Sequence, residues 1–251
     1  MTLVATALPG LPEVHPGDDL AALLAGAATG EHALRDGDAL AIAHKVVSKA
    51  EGRVRDLADI AAGDRARKLA AAHAKDPRAV QVVLDETEDL LRAERGVLIC
   101  RTRHGFVCAN AGVDASNAGG AGRLVLLPVD PDASARALRA RMRELTGAAP
   151  AVVITDSFGR AWRHGQCDVA IGCSGLAVLQ DWRGGRDAEG RELRATWIAV
   201  ADEAAAAADL ARAKDSREPA VRLRGLDAHV TSSNGPGAAE LRRPPAEDLF
   251  R

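Results

Sequence analysis

The chain has 251 residues, 47% of them hydrophobic and 27% charged, enough for one large domain or two small ones with a sizeable core. Its 33 Lys and Arg against 35 Asp and Glu leave a formal charge of -2, which argues against a whole-protein attraction to nucleic acid or anionic membrane. Aromatic residues amount to 2% with no Tyr, a composition that excludes a base-stacking platform.

No apolar run approaches the ~20 residues needed to span a bilayer. The opening "MTLVATALPGLPEV" has no basic stretch ahead of its short apolar part, so it does not read as a signal peptide. Cys100, Cys108, Cys167 and Cys173 have neither zinc-knuckle nor redox-pair spacing. They are expected to be reduced, mostly buried thiols in a cytoplasmic protein.

In chain order, "PGDDLAALLAGA" predicts a first helix with Asp18 or Asp19 as its N-cap. "DALAIAHKVVSKAEG" begins as a strand and turns into a lysine-bearing connection. Residues 57–74 and 79–95 read as two helices broken at Asp76-Pro77. "GVLICRTRHGFVCANAG" alternates around His104-Gly105 as a hairpin does, and "RLVLLPV" is a strand. "DASARALRARMREL" predicts a helix capped at Asp132 with Leu138, Met142 and Leu145 on one face. "AVVIT", "DVAIG" and "LRATWIAV" are further strands, followed by a helix over 202–214 and a last strand over 220–224. The run of alanines at 204–208 reads as helix-forming composition only. The order is partly helix–strand and partly hairpin, so a mixed α/β or α+β sheet is expected.

Three segments carry residues suited to chemistry. Between "AVVI" and "DVAIG" lies a polar stretch that reads as either an ordinary loop or the rim of a site. Asp156 and Ser157 open it as a hard-oxygen pair suited to Mg²⁺ or Mn²⁺, although Asp and Ser also favour plain turns. "GVDASNAGGAG", residues 112–122, offers Asp114, Asn117 and glycines that let backbone N–H groups approach an anion, and a surface loop has the same composition. "HKVVSKAEGR", residues 44–53, places Lys45 and Lys49 four apart after a strand, as partners for phosphate or as a solvated helix face. There is no Walker A loop and no Gly-x-Gly-x-x-Gly after a strand. "GCSG" around Ser174 lacks the final glycine of a hydrolase elbow, since Leu176 stands there.

Together with "LPGLPEVHPGDDL", "LLPVDPDASA" and "ADEAAAAADLARAK", these segments resemble the coenzyme F(420):L-glutamate ligase family, in family order from residue 8 to about residue 225. The resemblance implies a single γ-glutamyl ligase unit over residues 1–251, built of one body or two intimately packed subdomains, in a fold of the family's own. The expected form is the stand-alone one, without the nitroreductase-like domain that some relatives carry after "DLF". The implied reaction is GTP-dependent amide formation, in which the terminal carboxylate of a deazaflavin coenzyme precursor is phosphorylated and the amine of L-glutamate then displaces phosphate. The implied cofactors are Mg²⁺ or Mn²⁺, as two ions, with K⁺ as a further candidate.

The family's metal positions match Asp114, Asp156 and Ser157, which would also carry the catalysis. Its nucleotide positions match Leu11, Pro12, Glu13, Val14, His44, Lys49, Asn117 and Lys214. Arg160, Arg163, Gln166 and Asp168 are expected around the metal, facing the substrates. A homodimer is implied too, with no nucleic-acid or membrane partner. The chain departs from the family's usual residues at Ser157 (Thr), His44 (Ser or Thr), His164 (Asn) and Cys167 (Thr). A metal-dependent nucleotide phosphohydrolase and a non-catalytic paralogue that binds GTP or deazaflavin remain as competing readings of the same residues.

Overall fold

The computed structural model describes residues 2–213 and 215–248. Its backbone is a five-stranded sheet. β1 (Val4–Ala7), β2 (Ala39–Ala43), β8 (Ala151–Arg160), β9 (Arg163–Ser174) and β12 (Ala220–Arg224) lie in the order β1-β12-β2-β8-β9. Only β2 and β8 run parallel, so the sheet is mixed, as the element order predicts.

Both faces of the central strands are covered, and the period-2 alternation of side chains sorts them. Leu40, Ile42, Val152 and Ile154 face one layer with α1 (Leu20–Ala27) and α5 (Pro131–Thr146). Ala39, Ala41, Ala151 and Val153 face α6 (Val200–Ala211), which answers with Ala201, Ala204, Ala205 and Ala208. The alanine run therefore has a packing role: its small side chains let a helix backbone approach the sheet closely. α5 also reaches β9 closely, and a Cβ added to Gly172 would lie 2.3 Å from the Pro131 carbonyl oxygen.

Residues 53–126 build smaller layers around their own clusters. β3 (Val54–Asp56) pairs with β7 (Arg123–Val125). β4 (Thr87–Glu94), β5 (Val97–Thr102) and β6 (Val107–Ala109) form a three-stranded sheet against α3 (Asp64–His73) and α4 (Pro77–Asp85).

Several expectations are met. Asp19 caps α1, Asp76 caps α4 with Pro77 in its first turn, and the hairpin of β5 and β6 forms. All four cysteines are free, and three are buried.

Others need correction. The helix expected over 79–95 ends at Asp85, because Arg95 and Gly96 (φ 52° and 79°) form a left-handed turn that folds "TEDLLRAE" back on β5. The cap of α5 is Asp130. Asp132 instead accepts the backbone N–H groups of Cys173, Ala238 and Ala239, and Leu145 points to solvent. The strand expected in "LRATWIAV" shrinks to β11 (Trp197–Ile198), paired with β10 (Gln180–Asp181). The segment after β2 is a helix, α2 (His44–Ala50), rather than a plain connection. Among the described residues no helix is long and apolar enough to cross a membrane.

Candidate active site

The polar stretch between Asp156 and Asp168 is not a loop. β8 and β9 remain paired through it as far as Arg160 and Arg163, so Asp156 and Ser157 are strand residues. Neighbouring strand side chains point to opposite faces, which divides the pair. Asp156 faces α2, and Ser157 faces the side where α6 ends. The two side chains therefore do not form one chelating pair; they serve positions on separate faces of the hairpin.

On the first face, α2 gathers the site. It starts where β2 leaves the core, so its first turn is fixed by a strand buried from Ala39 to Ile42. His44 is buried, with Nε2 3.4 Å from Asp156 Oδ1 and without hydrogen-bond geometry, while Nδ1 lies 3.3 Å from Ser48 Oγ. The next residue, Lys45, places Nζ 2.5 Å from Asp114 Oδ2 and 2.5 Å from Ser116 Oγ. One turn later, Lys49 Nζ sits 2.5 Å from Glu13 Oε1. Successive residues of one short helix thus reach both acids. Lys45 is the member that the predicted site lacks, and its signal is the four-residue spacing to Lys49.

Asp114 is held in the loop by backbone hydrogen bonds in both directions with Val125. Burial pushes its carboxyl up, but the hydrogen bonds from Lys45 and Ser116 outweigh that and leave it below its ordinary value. Cys108 faces the same region; burial first, then the Asp156 charge, pushes its thiol up to about 12, so it is an inert neutral neighbour. Asn117 is exposed in a left-handed conformation (φ 55°) on the glycine loop. A Cβ at Gly119 would lie 3.9 Å from Glu13 Oε1, which puts that loop beside residues 11–14. There Pro12 and Glu13 are exposed, while Leu11 and Val14 direct their side chains into the core. Lys214 lies outside the described residues.

On the second face, Asp168 stands directly across from Ser157. It is 1% exposed and accepts from Ser157 Oγ (2.6 Å), Thr155 Oγ1 (2.8 Å) and the guanidinium of Arg212. This carboxylate is spent inside the protein and does not face a substrate as expected. Arg160 turns back on the carbonyls of His164 and Gly165, and Arg163 and Gln166 lie exposed on the outer part of the hairpin.

Among the described residues, no three His, Cys, Asp or Glu side chains converge as a cation cage. The donors present are hard: two carboxylates served by one helix, and a hydroxyl on the other face. Mg²⁺ characteristically takes one or two carboxylates and completes its shell with water and phosphate oxygens, so the donor chemistry fits such an ion.

Comparison with known proteins places these residues in context. The family model described as "F420-0:Gamma-glutamyl ligase" matches residues 10–225. A protein of Methanopyrus kandleri named "Coenzyme F420:L-glutamate ligase" is 48% identical over 241 residues, covering 95% of this chain and 94% of that protein. Proteins of the same name from Haloarcula marismortui and Methanothermobacter thermautotrophicus are each 43% identical. The first covers 98% of this chain and 94% of its own length, the second 96% of each.

Proposed function

The chain belongs to the F(420)-0:γ-glutamyl ligase family, and from that premise we propose that it joins L-glutamate to the terminal carboxylate of the deazaflavin coenzyme precursor at the expense of GTP. The observation that carries the reading is the convergence on α2, where His44 and Lys45 reach Asp156 and Asp114 and Lys49 reaches Glu13. Ammonium groups and acids gathered at one helix suit a polyphosphate with its cations.

A carboxylate is a poor acyl donor until one oxygen becomes a leaving group. In the first step that oxygen attacks the γ-phosphorus of GTP, the bond to the bridging oxygen breaks, and GDP departs. In the second, the glutamate amine nitrogen attacks the acyl carbon, the C–O bond breaks, phosphate leaves, and the amine gives up a proton. Divalent ions, held by Asp114 and Asp156 on one face and by Ser157 on the other, would neutralise charge on the phosphate oxygens. The chain's own part is positioning. Lys45 and Lys49, now paired with Asp114 and Glu13, exchange those partners for phosphate oxygens; residues 11–14 and Asn117 line the nucleotide's approach. No covalent enzyme nucleophile is required. A homodimer in cytoplasm belongs to the same reading, and sedimentation of the pure protein tests the assembly.

The reaction is tested by incubation with GTP, Mn²⁺, precursor and L-glutamate, followed by product mass and GDP assay. An acyl phosphate hydrolyses readily, so a ligase commits only with the acceptor in place. The expected result is GDP formation that needs both acceptors and matches a product heavier by one or more glutamyl residues. Hydrolysis of GTP without glutamate would replace this reading with a phosphohydrolase. Tight binding without turnover would replace it with a non-catalytic binder.

A further inference from the structure

We propose that His44 binds the divalent ion at Asp156 through Nε2, and that this nitrogen turns the site's preference from Mg²⁺ toward Mn²⁺. The inference rests on the reading of Asp156 as an ion-binding acid, and it moves His44 from the nucleotide to the metal.

Two observations meet at the start of α2. His44 is 2% exposed, and its Nε2 is buried without a hydrogen-bond partner. Buried polar atoms are almost always paired, so an orphan of this kind points to a group that completes it. Facing it at 3.4 Å is Asp156 Oδ1, which also receives the Ser157 N–H at 2.8 Å. The cations of the same helix, Lys45 and Lys49, pair with Asp114 and Glu13 instead, and among the described residues no Lys or Arg pairs with Asp156. A nitrogen without a partner thus faces an acid without a metal-like or ammonium charge beside it. The separation is telling as well. It exceeds the usual N–H···O range of about 2.7–3.2 Å. It falls where two ligands of one ion stand, because bonds of about 2.1 Å put neighbouring ligand atoms about 3.0 Å apart at a right angle and about 3.4 Å apart at a tetrahedral one.

The other ring nitrogen sets the role of the first. Nδ1 lies 3.3 Å from the Oγ of Ser48, one turn along α2 and itself buried. With the Nδ1 proton donated to that oxygen, the lone pair is left on Nε2, on the side of Asp156. Metal-bound histidines are oriented in this way, by a partner on their second nitrogen. The donor set then selects the ion. Mg²⁺ holds to oxygen ligands, whereas an imidazole nitrogen suits first-row transition ions. Zn²⁺ sites commonly add thiolate, but burial pushes the nearby Cys108 thiol up to about 12 and keeps it neutral. One nitrogen and one carboxylate oxygen leave the other positions of an octahedral Mn²⁺ to water and phosphate oxygens.

The test reads the bound ion rather than turnover. Mn²⁺ is added to the whole chain in the presence of GDP, and pulsed electron paramagnetic resonance looks for nitrogen coupled to it. The samples are wild type, wild type labelled with ¹⁵N-histidine, and His44→Gln, which keeps the reach of the side chain and replaces imidazole by amide. The expected result is ¹⁴N coupling in wild type that changes to the ¹⁵N pattern on labelling and disappears in His44→Gln. By calorimetry, His44→Gln should weaken Mn²⁺ binding about 10-fold or more, at least what loss of an outer-shell partner costs, and Mg²⁺ binding by less than about 2-fold. Mn²⁺ bound to wild type without histidine coupling overturns the inference and leaves His44 and Asp156 an imidazole–carboxylate contact only. Equal weakening of both ions in His44→Gln overturns the preference. Asp156→Asn tests the premise separately: unchanged Mn²⁺ affinity there removes Asp156 from the ion's shell, a failure told apart from absent coupling in a site that does depend on Asp156. The wild-type spectra need no substitution, so misfolding of His44→Gln would not spare the proposal.

Discussion

Asp156 occupies the point where β8 leaves the core, with Val169 across from it and the His44 ring 3.4 Å from its oxygen. Replacing it by Asn preserves shape and removes charge. Asp156→Asn is expected to fold with nearly the wild-type melting temperature and to lose about 10²-fold or more in GDP release, as removal of a charge-stabilising group does elsewhere. Wild-type turnover in that variant would remove Asp156 from the machinery. Lys49 is a different case, because its side chain is only 9% exposed where it meets Glu13. Truncation to Ala would open packing as well as delete charge. Lys49→Met keeps the apolar stem, so the melting temperature should hold while the KM for GTP rises. An unchanged KM would leave Lys49 a packing residue. The residue types at this site were readable from their order along the chain. The split between Asp156 and Ser157 was not, since "TDSFGR" looks like a turn until the partner strand is known to continue opposite it.

At the scale of elements, helix caps and alternating runs were the legible part: Asp19, Asp76-Pro77 and the β5–β6 hairpin all follow local rules. β4 shows where local rules stop. "TEDLLRAE" is rich in helix formers (Glu, Leu, Arg, Ala), yet the Arg95-Gly96 turn and six cross-strand partners on β5 decide its state. Cap choice at α5 fails for a related reason. Two aspartates flank Pro131, and Asp132 is drawn off by three backbone N–H groups from distant segments. The close approach of α5 to β9 is itself testable. With Pro131 O only 2.3 Å from an added Cβ, Gly172→Ala must displace the helix start or the strand. It should destabilise by about 1–3 kcal/mol, as overpacked sites do, and calorimetry would show it as a lower melting temperature. A melting temperature equal to wild type would mean that the contact yields freely.

For the molecule as a whole, acid tolerance depends in part on the Asp114–Lys45 pair between the glycine loop and α2. The folded carboxyl lies below its ordinary value of 3.8, so its stabilisation is complete above that value and fades as pH falls through the lowered folded one. Asp114→Asn lacks the contribution. Thermal melts between neutral and strongly acidic pH should show wild type ahead at neutral pH and the gap closing as the solution becomes acidic. A gap independent of pH would refute the linkage. The mixed sheet was legible as a class, whereas its strand order was not, because β12 enters between β1 and β2 from the far end of the chain. The alanine seam between α6 and the sheet has a last consequence, and it is entropic. Alanine has no rotamers to freeze, so the alanines of this layer close at no side-chain ordering cost, which leaves that cost to its few Val and Leu residues. The same absence leaves those alanines no alternative side-chain states in which to relax. The position of α6, and so of Arg212 beside Asp168, is set largely by backbone brought close to backbone across a seam rich in methyl groups.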